Sequence, residues 1–206
     1  MATVHQPARC TDLKIKSIAV LTDFSQNADT ALQYAAVFAR VHGATLVLAH
    51  AYLPPTCAYA APEAALVYQA FDARREDLEN RLLEETEAVY LRDIKCTALV
   101  RMGGPRDLLE DLQDVDLIVV GTSGETGVAK AALGSTAEAI FRASAIPVLT
   151  VGPRCRCSDT RETALSTVLY PTDLSAGAAI ALPYAVSIAN EHNAELVLGR
   201  VNTISI

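Results

Sequence analysis

Residues 117–153 read LIVVGTSGETGVAKAALGSTAEAIFRASAIPVLTVGP. The segment begins with an apolar, β-branched run typical of a buried strand, and a second such run follows at 147–151. Between the two runs lie glycines and then Ser135-Thr136-Ala137-Glu138, which has the pattern of a capping box at a helix start. A strand, a glycine-rich loop and a helix N-terminus suit phosphate binding, because glycines let backbone amides approach an anion and the helix end adds unpaired donors.

Apolar strands alternate with helical patterns along the preceding chain as well. Ser25 is the expected N-cap of the first helix, and a long charged pattern over 63–92 predicts a second helix with a solvated face. Such alternation predicts a parallel sheet covered on both faces, with ligands outside the carboxyl ends of the strands. The predicted strands are 17–21, 44–49, 96–100, 117–120 and 147–151.

The spacing Gly121-x2-Gly124-x9-Gly134-Ser135 resembles the ATP-binding signature of the universal stress protein family. The resemblance includes the apolar strand before the loop and the Pro-Val-Leu-x-Val strand after it. It implies an α/β fold related to adenine nucleotide α-hydrolases, with a five-stranded parallel sheet in the order 3-2-1-4-5 and helices on both faces. That order would bring Asp23 and Gly121 to one crevice.

The same resemblance implies ATP as the ligand and assigns residue roles. Asp23 would accept hydrogen bonds from the ribose hydroxyls, Ala51 would lie near adenine just after the second strand, and Val120 would lie against the base and sugar. Leu21 stands where many members carry proline, at the adenine wall. The predicted binding residues are Leu21, Thr22, Asp23, Ala51, Val120, Gly121, Gly124, Gly134, Ser135 and Thr136, of which the last four and Gly121 would surround the phosphates.

Simpler roles remain open for several of these residues. Asp23 would also be favoured by the dipole at a helix start, the glycines could serve only a structural loop, and Ser135 could be an N-cap alone. Lys130 is expected to be solvated and His50 to be structural. We identify no catalytic or metal-binding residue, and Mg²⁺ could accompany a triphosphate without protein ligands.

The start of the chain repeats at an offset of 150 residues. Residues 17–51 align without gaps with residues 167–201, so that Asp23 matches Asp173 and Ser25 matches Ser175. The sequence predicts a lead-in at 1–16, a universal stress protein domain at 17–153, a linker at 154–165 and a partial second domain at 166–206, as in the tandem members of the family. A unit of about 40 residues buries too little surface to fold alone, so we expect it to dock on another surface, and we expect Pro183 to kink its helix.

Composition narrows the functional classes. The 206 residues include 17 Lys+Arg and 24 Asp+Glu, for a net charge of −7, which argues against a nucleic-acid partner. We expect a cytoplasmic protein, because no leader segment or membrane span is evident. The five cysteines are expected to be reduced thiols; Cys155 and Cys157 in the linker could be redox-active or bind a soft metal.

The sequence therefore predicts an ATP-binding regulatory or stress-response protein in which hydrolysis is slow or absent. We expect it to form a homodimer through the fifth strand and the partial second repeat, without a membrane or nucleic-acid partner. Two alternatives stay open: a dimeric interaction module that binds no nucleotide, and an enzyme that cleaves ATP between its α- and β-phosphates.

Overall fold

The computed structural model describes residues 14–53, 64–122, 134–157 and 165–200, with side chains omitted for 64–70. The chain divides into two compact units, Ile15–Arg161 and a second made of Met1–Lys14 and Glu162–Ile206. We call them the first and second unit and describe each by itself. Within the described residues, no helix is long and apolar enough to cross a membrane.

The first unit contains a parallel five-stranded sheet in the predicted order, 3-2-1-4-5. Three strands, the second, third and fourth, extend further at their carboxyl ends than predicted, so that Ala51 lies inside the second strand and not after it. Central strand β1 pairs with β2 on one side and β4 on the other, and its last residue, Leu21, is opposite both Ala49 and Val120. The strands are β1 (Ser17–Leu21), β2 (Thr45–Tyr52), β3 (Cys96–Met102), β4 (Leu117–Gly121) and β5 (Val148–Val151).

Helices cover the sheet as the apolar strands require. The first helix packs closely because its buried face is largely alanine, and Ser25 caps it as predicted, with Oγ accepting from the Ala28 amide at 3.2 Å. The second helix is shorter than predicted and buries Leu78 and Leu82 while most of its charged residues remain exposed. The helices are α1 (Gln26–His42), α2 (Ala64–Thr86), α3 (Pro105–Asp111) and α4 (Ser135–Ala143), with a short 3₁₀ turn at Val89–Leu91.

The predicted capping box at the start of α4 is wrong. Gly134 is the N-cap, Ser135 is the first helical residue, and no side chain caps this end. The Gly134 carbonyl accepts the first helical hydrogen bond, from the Glu138 amide at 2.8 Å, so the helix starts one residue earlier than predicted. Glu138 pairs instead with Arg142 at 2.9 Å on the helix surface.

Gly121 lies where α1 comes closest to the end of β4. A Cβ added there would overlap Nδ2 of Asn27 and lie 3.2 Å from its backbone carbonyl carbon. Asn27 Nδ2 in turn donates to the Val151 carbonyl on β5 at 3.1 Å. The absence of a side chain at Gly121 therefore lets α1 pack closely on the end of β4, whatever the relation of Gly121 to a ligand.

The second unit contains β6 (Thr167–Pro171), α5 (Ala176–Glu191) and β7 (Glu195–Gly199) in the order that the repeat predicts. The strands pair in parallel, and the pairing Thr167–Glu195 is the counterpart of Ser17–Thr45 in the first unit. The helix is continuous through Pro183. Several large apolar side chains of this unit are exposed, among them Leu169, Ile180 and Leu198.

In the first unit, Asp29 on α1 and Glu85 on α2 are close enough to interact electrostatically. Burial and the nearby Asp29 raise the pKa of Glu85 to about 7, and the opposing charge of Arg81 offsets part of this effect. Burial also raises the pKa of Asp29. Ionised Glu85 therefore lowers the stability of the folded chain.

We expect Gly121→Ala to lower the free energy of unfolding by about 1–3 kcal/mol, because the new methyl group overlaps Asn27. Chemical denaturation would measure this loss. Gly104→Ala is the matched control, since its nearest contact would be an ordinary 3.7 Å from Asp107 Oδ2. Adding Asn27→Ala to Gly121→Ala should recover part of the stability, and equal unfolding midpoints for both glycine variants would contradict the close approach.

We expect Glu85→Gln to stabilise the protein by about 1 kcal/mol at pH 8, after discounting for partial exposure, and to have no effect at pH 4. The folded pKa of about 7 exceeds the ordinary value of 4.5, so the neutral form contributes stability that disappears as the pH rises through 7. Melting temperatures of the wild type and of Glu85→Gln, measured between pH 4 and pH 8, would test this expectation. The exposed neighbour Glu84 supplies the control, Glu84→Gln, for which a pH-dependent gain of the same size would refute the assignment.

Candidate functional site

A cavity of about 370 Å³ lies at the carboxyl edge of the sheet in the first unit. The structure brings nine of the ten predicted binding residues to its wall: Leu21, Thr22, Asp23, Ala51, Val120, Gly121, Gly134, Ser135 and Thr136. The tenth, Gly124, lies outside the described residues, as does Lys130. Residues from four distant parts of the sequence thus surround one space.

The turn after β1 presents Asp23 to this cavity. Thr22 Oγ1 accepts from the Phe24 amide at 2.9 Å, and Asp23 Oδ1 accepts from the Ser25 amide at 3.1 Å. Phe24 adopts a left-handed backbone with φ of 63°. Asp23 is exposed, and a carboxylate has acceptor capacity beyond the single bond to Ser25, so it can also accept from a ligand hydroxyl.

The N-terminus of α4 forms another part of the wall. Backbone amides in the first turn of a helix have no partner within the helix, and α4 has no side-chain cap. The amides of Ser135, Thr136 and Ala137 therefore suit an anion. The Gly134 amide does not share this role as the sequence had suggested, because it is bound to the Thr122 carbonyl.

Sequence reasoning missed the contribution of the loop between β3 and α3. Gly103, Gly104 and Pro105 also line the cavity. Gly103 has φ of 143°, which favours glycine, and the Gly104 amide donates to Asp107 Oδ2 at 2.6 Å. The signal was available, because a glycine pair directly after a parallel strand lies at the edge where ligands bind.

His50 lines the cavity from inside β2. Its Nδ1 lies 2.8 Å from the Thr22 carbonyl oxygen, so Nδ1 carries the proton and Nε2 is an acceptor in the neutral ring. Burial lowers the pKa of His50, with smaller contributions from Arg74 and Arg81. The ring is therefore neutral at pH 7.

Small side chains leave room beside these polar groups. Ala28 and Ala49 are buried at the cavity wall, and Ala51 and Leu53 lie nearer its mouth. An apolar wall with a few convergent polar groups is typical of small-molecule sites. Across the described residues, no group of three or more His, Cys, Asp or Glu side chains is placed to hold a metal ion.

Solved structures with the same fold include a universal stress protein from Lactobacillus plantarum, with a TM-score of 0.57 at 22% identity; the match covers 67% of this chain and 98% of that one. A universal stress protein from Archaeoglobus fulgidus has a TM-score of 0.67 at 19% identity over 91% of this chain and 67% of its own. A putative one from Pseudomonas aeruginosa has a TM-score of 0.52 at 18% identity, with coverage of 89% and 60%. At such low identities these likenesses show the fold alone.

Among curated protein sequences, none matches this chain. The family model described as "Universal stress protein family" matches residues 14–152. This match covers more than half of the chain and contains the whole sheet of the first unit and the cavity at its edge. The chain belongs to the universal stress protein family.

Proposed function

We propose that the first unit binds ATP in the cavity at the carboxyl edge of its sheet and acts as a nucleotide-dependent regulatory protein. The observation that carries this proposal is the meeting of an exposed carboxylate, Asp23, with the uncapped N-terminus of α4 around one cavity. Asp23 would accept hydrogen bonds from the ribose diol. The amides of Ser135 to Ala137 would bind phosphate oxygens, and Ala51 would leave space for the adenine ring.

Slow or absent hydrolysis fits the chemistry of the described cavity wall. Its titratable side chains are Asp23 and His50, and one Asp23 oxygen and the His50 Nδ1 are already engaged by the turn. A magnesium ion would accompany the triphosphate and be held by its oxygens. These residues would bind and orient ATP without supplying an acid–base pair.

Asp23→Asn is the sharpest variant for this proposal. The asparagine oxygen can still accept from the Ser25 amide, so the turn remains, but the charge and one acceptor are lost. We expect ATP affinity to fall about tenfold, the loss of one charge-assisted hydrogen bond at an exposed position. Isothermal titration with Mg-ATP would measure it.

The chain supplies a matched control in the repeat. Asp173 accepts from the Ser175 amide at 2.8 Å as Asp23 does from Ser25, so Asp173→Asn repeats the chemistry in the second unit and should leave ATP affinity unchanged. Phosphate and pyrophosphate release in the same samples should stay near background. Absence of binding at millimolar ATP would refute the proposal, and steady pyrophosphate release would favour an α-hydrolase-type enzyme.

We also propose that the chain forms a homodimer through β5, with the second unit contributing. In the first unit β5 is an edge strand. Because Ile118 and Thr122 donate to the carbonyls of Pro147 and Val151, alternation along the strand turns the Val148 and Thr150 amides toward the open edge. The exposed apolar residues of β6, α5 and β7 add a second surface that suits association.

Thr150→Pro tests whether the open edge of β5 forms the dimer contact, because it removes an amide that points outward and keeps the hydrogen bonds between β5 and β4. We expect the variant to shift toward monomer at micromolar concentration in sedimentation equilibrium, while Thr150→Ala remains dimeric. A wild-type mass that stays monomeric at every concentration would refute the dimer.

A further inference from the structure

Side chains from α2, the turn after β1 and β2 contact one another in series beside the cavity. Arg81 on α2 places its guanidinium carbon 3.9 Å from the centroid of the Phe24 ring. The Phe24 ring lies 4.7 Å, centroid to centroid, from the ring of His50 on β2, and the two rings are tilted by 41°. His50 in turn binds the carbonyl of Thr22, the residue before Asp23. We call this arrangement the Arg81 stack.

The repeat in the second unit shows that the turn forms from its own sequence, without the contacts of the Arg81 stack. Leu174, the counterpart of Phe24, also has a left-handed backbone, with φ of 65°, and Thr172 Oγ1 accepts from the Leu174 amide at 3.0 Å. Yet Leu174 is 68% exposed, and the counterpart of His50 is Arg200. The Thr-Asp-x-Ser sequence thus forms the turn without a stack.

The turn thus forms from its own sequence, and the Arg81 stack does something further: it attaches the turn to α2 and to β2. We propose that Arg81 is a positioning residue for the nucleotide site, pressing Phe24 onto His50 so that the carboxylate of Asp23 stays fixed relative to Ala51 on β2. Arg81 is not among the residues that line the cavity; it contacts the Phe24 ring, and its charge also acts on His50, which does line the cavity. That the bound ligand is a nucleotide rests on the proposed function, whereas the positioning role of Arg81 rests on its contacts alone.

Arginine suits this position for physical reasons. Its planar, permanently charged guanidinium stacks on an aromatic face and is more weakly hydrated than an ammonium group. Asp29 and Glu85 lie near enough to Arg81 to interact with its charge. Lysine would keep the charge without the planar face, and methionine would keep only part of the apolar stem.

The experiment compares Arg81→Met, Arg81→Lys and Phe24→Leu in the full chain. Leucine is the residue that the repeat itself carries in this turn, so Phe24→Leu removes the ring without forbidding the backbone. We expect Arg81→Met and Phe24→Leu each to weaken Mg-ATP binding two- to five-fold, the range of an exposed cation–π contact. The double variant should be little weaker than either, and Arg81→Lys should lie between wild type and Arg81→Met.

Arg92→Met is the matched control for charge. Arg92 is exposed and precedes β3, so it lies at the amino ends of the strands, away from the cavity. This variant should bind ATP like the wild type. Melting temperatures of all variants would verify that each remains folded.

Titration of His50 by NMR gives a readout that needs no nucleotide. Arg81→Met should raise the pKa of His50 toward its ordinary value of 6.5, because the Arg81 charge lowers it. Phe24→Leu should raise it by uncovering the ring, whereas Arg92→Met should not change it. Arg74 and Asp23, the other charged groups that act on this ring, remain in every variant.

The results separate the two proposals. The positioning role is refuted if Phe24→Leu, which keeps the Arg81 charge, leaves the pKa of His50 as it is in Arg92→Met. It is also refuted if Arg81→Met and Phe24→Leu leave the amide exchange of Phe24 and Ser25 unchanged. Additive losses of ATP affinity in the double variant would refute it as well. If the wild type binds no ATP, the proposed function fails, and the titration and exchange still decide whether Arg81 holds the turn.

Discussion

The parallel pairing of β1 with β4 is the constraint on which the rest of the first unit depends. It places Leu21 beside Val120, so the turn after β1 and the end of β4 occupy the same edge of the sheet. The two strands belong to distant parts of the sequence, and crossovers through helices bring them together. Without this register, Asp23 and the start of α4 would have no common cavity.

Gly121 shows how tightly that edge is packed. Its missing side chain makes room for Asn27, whose amide reaches across to the Val151 carbonyl. The contact therefore ties the start of α1 to both β4 and β5. A glycine that resembles part of a ligand signature is thus also a packing requirement, and the two roles are compatible because the same residue lines the cavity.

The sequence predicted the sheet order and the Ser25 cap, because both follow from local patterns and a family resemblance. It misplaced the cap of α4: Ser135-Thr136-Ala137-Glu138 fits a capping box, but the Gly134 carbonyl accepts the first helical hydrogen bond and makes Gly134 the N-cap. Some predicted strands also ended too early. In β2, for example, His50 interrupts the apolar run from which the strand was predicted, although the strand continues to Tyr52. The Arg81 stack could not be predicted, as it joins side chains whose sequence spacing has no regular period.

The repeat separates what a short sequence dictates from what its surroundings add. In both units a Thr-Asp-x-Ser segment follows a strand, bends through a left-handed residue and caps a helix with its serine. A carboxylate held in this way is common to the two copies, so the turn alone does not distinguish the first unit. In the first unit, the neighbours of Asp23 are the end of β4 and the open N-terminus of α4, and these partners make the turn part of a cavity.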